Sequence, residues 1–456
     1  MGLTSHKTGV KNQLKERFPS AFKKFPTLID ARNAASAQRE NTVIHVDGNV
    51  IFMSVPQAAR TLDAYLAVVF NSLRAAIATA FLTVVVFDDP DALTIAKRQE
   101  QLKRDAYKAS NMVHHSSDLQ SSPLDDNYDK QYVSTARNVH DLVGNRRTRL
   151  RFFDEIAYLL LDKLNAQIQR WTASGHTGGH VVFDGIDPRG ADRPIGTQRE
   201  PVCVASSPEA AALFKRETPI GEGDLKLADL GRRAREMARQ PDSMLADFKL
   251  ALCTTIDTDS FCLELIEEAR RGESDTTPLN TVLCMRERAQ KRGTEDEVPS
   301  YYLCCDVALL HNLLQKSMWG ATRNPTARDQ RAAITLLVSG WAACGCDFVQ
   351  LKGMRSDVVF GAVAEIVKTQ TDCVEFMKHA WSAERENLVK THHSIRKLLV
   401  ECASRLSNIP RIKKDCLPSI SDPDDLILKR IGWVAAYWNS VEHKGVEDFG
   451  FLVPFA

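Results

Sequence analysis

The chain has 456 residues, and its 59 Lys and Arg almost cancel 58 Asp and Glu, leaving a net charge of +1. That balance excludes a global electrostatic pull toward nucleic acid, so any such binding has to come from local basic stretches. Eleven cysteines, an odd count without a C-x-x-C pair, several of them inside apolar runs (Cys253, Cys304, Cys344), read as small packed hydrophobes and favour a reducing compartment.

The opening, Met1-Gly2-Leu3-Thr4-Ser5-His6, is polar and has no signal-peptide core. It also misses the myristoylation pattern, because His6 stands where Ser or Thr is needed. No apolar segment is expected to span a bilayer, residues 332–346 coming nearest. A soluble intracellular protein with no membrane partner is the expectation.

Val43-Ile44-His45-Val46 is a β-branched run ending in Asp47 and Gly48, and predicts a buried strand with an acid at its end. Leu62, Leu66, Val69, Leu73 and Ile77 recur at helical spacing. Residues 81–87 predict the next strand, closed by Asp88-Asp89-Pro90. Strand, helix, strand in this order predicts an α/β protein with a central, mostly parallel sheet wrapped by helices. In such sheets the functional crevice lies at the carboxyl ends of the strands, which is where Asp47 and Asp88 would stand.

Between residues 96 and 151 the chain turns basic. Lys97, Arg98, Lys103, Arg104 and Lys108 fall on a predicted helix, a polar section over 114–129 follows, and then Arg146-Arg147-Thr148-Arg149-Leu150-Arg151. Residues 152–171 predict a helix, and 180–183 a strand ending in Asp184. The Gly-, Pro- and charge-rich 185–200 reads as a surface insertion.

Helical periodicity returns over 224–239, at whose mouth stands Gly221-Glu222-Gly223-Asp224. Residues 250–256 predict a strand running into Asp257-Thr258-Asp259, and strand alternation would put both aspartates on one face. Further strands are expected at 281–285 and 301–305. A buried helix over 332–343 leads into Cys344-Gly345-Cys346-Asp347. From Val358 on the pattern is mostly helical, and there is no internal repeat.

Two carboxylates held side by side repel each other unless a cation sits between them. Asp47, Asp88, Glu222, Asp224, Asp257, Asp259 and Asp347 are therefore read as ligands converging on a pair of divalent ions. Taken singly, each acid is better explained as a turn or helix cap; the two pairs together favour metal. Hard oxygen ligands suit Mg2+, with Mn2+ able to substitute, and two-metal hydrolysis places such ions about 3.5–4 Å apart. Asp184 ranks below the seven, and Asp89 reads as a turn residue. His114-His115 and His392-His393 lack zinc-spaced partners and read as surface, while Trp341, Trp433 and Trp438 read as core anchors.

The order of these acids resembles the flap endonuclease/XPG family of structure-specific 5′ nucleases. The resemblance is carried by Met1-Gly2-Leu3, Phe18-Pro19-Ser20-Ala21-Phe22, Val46-Asp47, Val86-Phe87-Asp88 with Ala96-Lys97-Arg98, Gly221-Glu222-Gly223-Asp224, Asp257-Thr258-Asp259 and Gly345-Cys346-Asp347. It implies a PIN-like 5′ nuclease core over 1–365. Within that core it implies a basic gateway-like insertion at 97–151 and a degenerate helix–hairpin–helix-like clamp at 345–365, reduced to Lys352-Gly353-Met354-Arg355. A helical extension occupies 366–456. By this resemblance Asp47, Asp88, Glu222 and Asp224 would gather near one ion, and Asp257, Asp259 and Asp347 near the other. Lys97 and Arg98 would act on the scissile phosphate; Lys103, Arg104, Arg146, Arg147, Arg149, Lys352 and Arg355 would contact nucleic acid. The basic runs also read as solvated helix faces.

The resemblance points to a divergent branch, viral or protist, acting as a monomer on branched or 5′-flapped DNA in replication, repair or recombination, in the nucleus or at a site of viral DNA replication. No glutamine-plus-aromatic sliding-clamp motif appears near the end of the chain. Three alternatives stand beside it. One is an endoribonuclease on the same fold, and another a non-catalytic nucleic-acid-binding protein. A phosphatase built on Asp257-x-Asp259 is the third, and it leaves the other five acids unexplained.

Overall fold

The computed structural model describes residues 9–89, 139–144, 146–190, 200–215, 220–271, 277, 279–287, 301–320, 324–346, 349, 351, 353–381, 385–408 and 425–439. Its centre is an eight-stranded sheet of β1 (Phe22–Phe25), β2 (Thr42–Asp47), β3 (Leu82–Val86), β4 (His180–Ile186), β5 (Val202–Ala205), β6 (Leu250–Thr255), β7 (Asn280–Glu287) and β8 (Tyr301–Asp306). The strand order is β1-β8-β7-β6-β2-β3-β4-β5. The five strands from β7 to β4 run parallel, while β8 pairs antiparallel with both β7 and the edge strand β1, and β5 is the opposite edge, antiparallel to β4. The α/β class with a mostly parallel sheet is thus observed.

Every residue of β2 is buried, and so is every residue of β3 and β6. That is what helices on both faces require, and it explains the unbroken apolar runs. Alternation then sorts the side chains: Val43, Leu82, Val84, Val86, Ala251 and Cys253 enter one core layer, while Ile44, Val46, Val85, Phe87, Leu250 and Leu252 enter the other.

The helices that build the site and its supporting core are α1 (Gly48–Met53), α2 (Leu62–Thr79), α3 (Arg146–Ala173), α4 (Gly223–Ala238), α5 (Asp259–Arg271), α6 (Val307–Trp319), α7 (Ala327–Ala343), α8 (Ser356–Thr369), α9 (Arg385–Ser407) and α10 (Asp425–Asn439). Helices α2 and α3 close the second layer. Helices α4 to α10 contribute to the first, so Ile395, Leu398, Val434 and Trp438 share a continuous core with β2 and β3. The expected boundary at 365/366 falls inside α8.

Two expectations need correction. The strand at 250–256 stops at Thr255, and Ile256 is 55% exposed. Asp259 is the first residue of α5, so Asp257 and Asp259 do not share a strand face. The second concerns membrane length. Among the described residues α2, not 332–346, is long and apolar enough by composition to cross a bilayer. Its Tyr65, Leu66, Val69, Leu73 and Ile77 are instead buried in the second core layer.

Candidate metal centre

From β2 the chain builds outward through β3 to β4, then returns to the other side of β2 for β6 and β7. The order therefore reverses between β2 and β6, and the crevice outside their carboxyl ends is where ligands bind in open α/β sheets. Asp47 closes β2 and caps α1, its Oδ1 accepting the Asn49 amide at 2.9 Å. Gly48 follows because nothing larger fits. A Cβ there would lie 2.6 Å from the Phe87 ring and 2.8 Å from the Val86 carbonyl oxygen. The first turn of α1 thus passes directly over the end of β3.

Asp88 stands just past β3 and is held by the helix mouth. Its Oδ1 accepts the Gly223 amide at 2.8 Å, and its Oδ2 faces Asn49 Nδ2 at 3.4 Å. Two more bonds fasten the same loop to α4: the Asp89 amide donates to the Gly221 carbonyl at 2.7 Å, and Lys226 Nζ to the Phe87 carbonyl at 2.8 Å. Amides at a helix N-terminus carry partial positive charge and suit an anionic partner. Asp89, read from the sequence as a turn residue, is buried.

Across the switch, Asp257 is set by its own turn. Its amide donates to Thr255 Oγ1 at 3.0 Å, and its Oδ1 accepts the Asp259 amide at 3.1 Å. Asp224, in the first turn of α4, accepts from Ser260 Oγ at 2.9 Å, which ties α4 to α5. Glu222 occupies the N-cap position of α4 without capping it. Its Oε1 accepts instead from the Tyr437 hydroxyl at 3.0 Å.

These acids act on one another. Burial pushes the Asp47 carboxyl up to about 7, with Asp88 and Asp257 adding repulsion and the Asn49 and Val50 amides opposing it. Asp224 is raised well above the usual carboxylate range, first by burial and then by Asp257, Asp47 and Asp259. What favours their charged forms is hydrogen-bond donation from amides and a hydroxyl. An all-oxygen donor set that repels itself fits a hard divalent cation. Asp47, Asp88, Glu222, Asp224, Asp257 and Asp259 would hold it, and Asp347 lies outside the described residues. The spacing is loose. Among the described residues the trio whose ligand atoms lie within 4.8 Å of one another is Asp372, Cys373 and His393, none of which is one of these acids. Mg2+ keeps several waters and tolerates carboxylates at such a remove.

Asp184 is level with Val86 in the sheet but turns to other partners, the Cys203 thiol at 3.4 Å and Lys226 Nζ at 3.9 Å. Lys97, Arg98, Lys103, Arg104 and Lys352 lie outside the described residues, as does Asp347. Arg146 and Arg147 begin α3. Arg149 Nη1 reaches Met53 Sδ at 3.5 Å, at the far end of the helix that starts after Asp47. Arg355 grips the Asp357 carboxylate with two bonds, 3.0 and 2.8 Å. Trp341, Trp433 and Trp438 are buried.

Lys226, Ser260 and Tyr437 are site-building residues that sequence reasoning missed. A lysine inside an amphipathic helix and an aromatic in an apolar one carry no local signal. No family model matches the chain, and no curated protein matches it. What fold and crevice define together is a class: an α/β protein with a carboxylate cluster at its topological switch point.

Proposed function

We propose that the chain is a Mg2+-dependent, structure-specific 5′ nuclease that cleaves phosphodiester bonds in branched or flapped DNA. The observation that carries this reading is the mutual repulsion of Asp47, Asp88, Asp224, Asp257 and Asp259, gathered from β2, the end of β3, α4 and the mouth of α5. Such a field rejects a phosphodiester unless cations intervene. Bound divalent ions would supply an activated water and would offset charge on the leaving oxygen. The order of the acids along the sequence, with its resemblance to the flap endonuclease/XPG family, supports DNA as substrate.

The chain's own residues prepare the site. The Gly223 amide fixes Asp88, the Asn49 amide fixes Asp47, and Ser260 fixes Asp224. Asp47, Asp88, Glu222 and Asp224 would serve one ion, and Asp257 and Asp259 the other. Preset ligands need no reordering when substrate arrives, which is how a site contributes to rate.

The test is cleavage in Mg2+ of a panel holding 5′-flap, nicked, single-stranded DNA and RNA substrates. Flap cleavage that disappears in Asp259→Asn, with flap binding kept, is the expected result. Undiminished turnover in Asp259→Asn would sink the reading, and a preference for RNA would move the substrate to the ribonuclease alternative.

A further inference from the structure

We infer that Tyr437 is a positioning residue for the metal centre, delivered to it by the far C-terminal helix. This rests on reading the crevice acids as metal ligands. Glu222 and Tyr437 are both buried, and their 3.0 Å hydrogen bond spans 215 positions of sequence. The phenol donates its proton to a carboxylate that has no helix-capping role to explain its burial at the helix mouth.

The donor is itself held rigidly. Trp433, one turn earlier in α10, stacks on the Tyr437 ring with centroids 4.8 Å apart and 13° between planes. Trp433, Val434, Ala435, Ala436 and Trp438 are all buried in the layer that covers the sheet. Packing of this kind leaves the hydroxyl little freedom to follow Glu222 elsewhere. Position is therefore imposed on the acid by the helix.

The chemistry of the donor matters as much as its place. Where this protein neutralises a buried acid it uses a cation, as with Lys226 beside Asp184. Tyr437 orients Glu222 without adding positive charge, so the carboxylate keeps the negative charge a cation needs. Groups that hold a metal ligand in this way typically govern affinity by about 10–100-fold.

The test measures Mg2+ binding by calorimetry on the full chain, together with the Mg2+ concentration for half-maximal flap cleavage and the melting temperature without metal. Tyr437→Phe should weaken Mg2+ binding about 10-fold or more. The half-activating concentration should rise in step, by a larger factor than turnover at saturating Mg2+ falls. Trp438→Phe, which loosens the same helix without touching the hydroxyl, should lower melting and leave Mg2+ affinity unchanged. Wild-type affinity in Tyr437→Phe overturns the inference alone, and so does an equal loss of affinity in Trp438→Phe. A wild-type chain that binds no Mg2+ overturns the metal reading and this inference with it.

Discussion

The backbone amide of Gly223 reaches 135 positions back along the chain to donate to Asp88 Oδ1 at 2.8 Å. Through that bond the mouth of α4 fixes an acid that follows β3, while Asp88 in turn pushes on Asp47. An Asn at position 88 keeps the acceptor and removes the charge. Asp88→Asn is therefore expected to melt higher than wild type without metal at pH 8, because repulsion with Asp47 is relieved. It should also lose most of the stabilisation that added Mg2+ gives. Opposite signs in the two melts identify a ligand; a fall in both would mark Asp88 as a structural residue only.

Gly48 lies against the end of β3 with no room for a Cβ. Adding a methyl there drives against Phe87, whose ring is boxed in by Phe52, Phe153 and Phe183 at 5.1, 5.5 and 6.3 Å. Gly48→Ala should cost about 1–3 kcal/mol by overpacking, read from urea unfolding. Since Phe87 immediately precedes Asp88, the same variant should weaken Mg2+ binding. An unchanged unfolding midpoint would contradict the close approach.

Lys226 joins two demands, the Phe87 carbonyl and the Asp184 carboxylate, and almost no solvent reaches either charged side chain. Removing one member of a buried pair leaves the other charge in a poor solvent, so Lys226→Met should cost about 3 kcal/mol. Asp184→Asn in the same chain should recover part of that loss. A double-mutant cycle measures it, and strict additivity would show that the pair is not coupled.

The raised Asp47 carboxyl sets a direction for pH. Its folded-state value of about 7 lies above the ordinary 3.8, so the native state holds a proton more tightly than the unfolded chain. That contribution is complete below the unfolded value and is lost as pH rises through about 7. Metal-free protein should thus melt lower at pH 8 than at pH 5, and Asp47→Asn should flatten the slope. Mg2+ replaces the proton and should flatten it as well, with affinity climbing over the same interval. A metal-free melt that rises between pH 5 and pH 8 would contradict the burial and repulsion assigned to Asp47.

The parts of this architecture that local chemistry dictates are legible in the sequence. Val43 to Asp47 and Leu250 to Thr255 are central strands, buried on both faces, and their continuous apolar character announces itself. The edges are quieter. Phe22-Lys23-Lys24-Phe25 and Val202-Cys203-Val204-Ala205 are too short to establish a period, and their pairing with β8 and β4 decides them. Asp259 is named from the sequence as a ligand, but its place on a strand face fails for a related reason. Strand alternation, carried past Thr255, misplaces it, because the chain there turns to begin a helix. Asp47, Asp88, Glu222, Asp224 and Asp257 are recognisable because each marks the end of an element. Lys226 and Tyr437 are not, because their roles exist only once distant segments meet.

The contact between Glu222 and Tyr437 also orders events in time. A ribosome adding about 5–20 residues per second needs roughly 10–40 s to make the 215 residues that separate them. Over that interval β6, β7 and β8, with Asp257 and Asp259, are added to the nascent chain, and the phenol that steadies Glu222 comes after all of them. Release of α10 from the exit tunnel is accordingly the step that finishes the crevice, and a polypeptide cut short before it would be born with the pocket's last support missing.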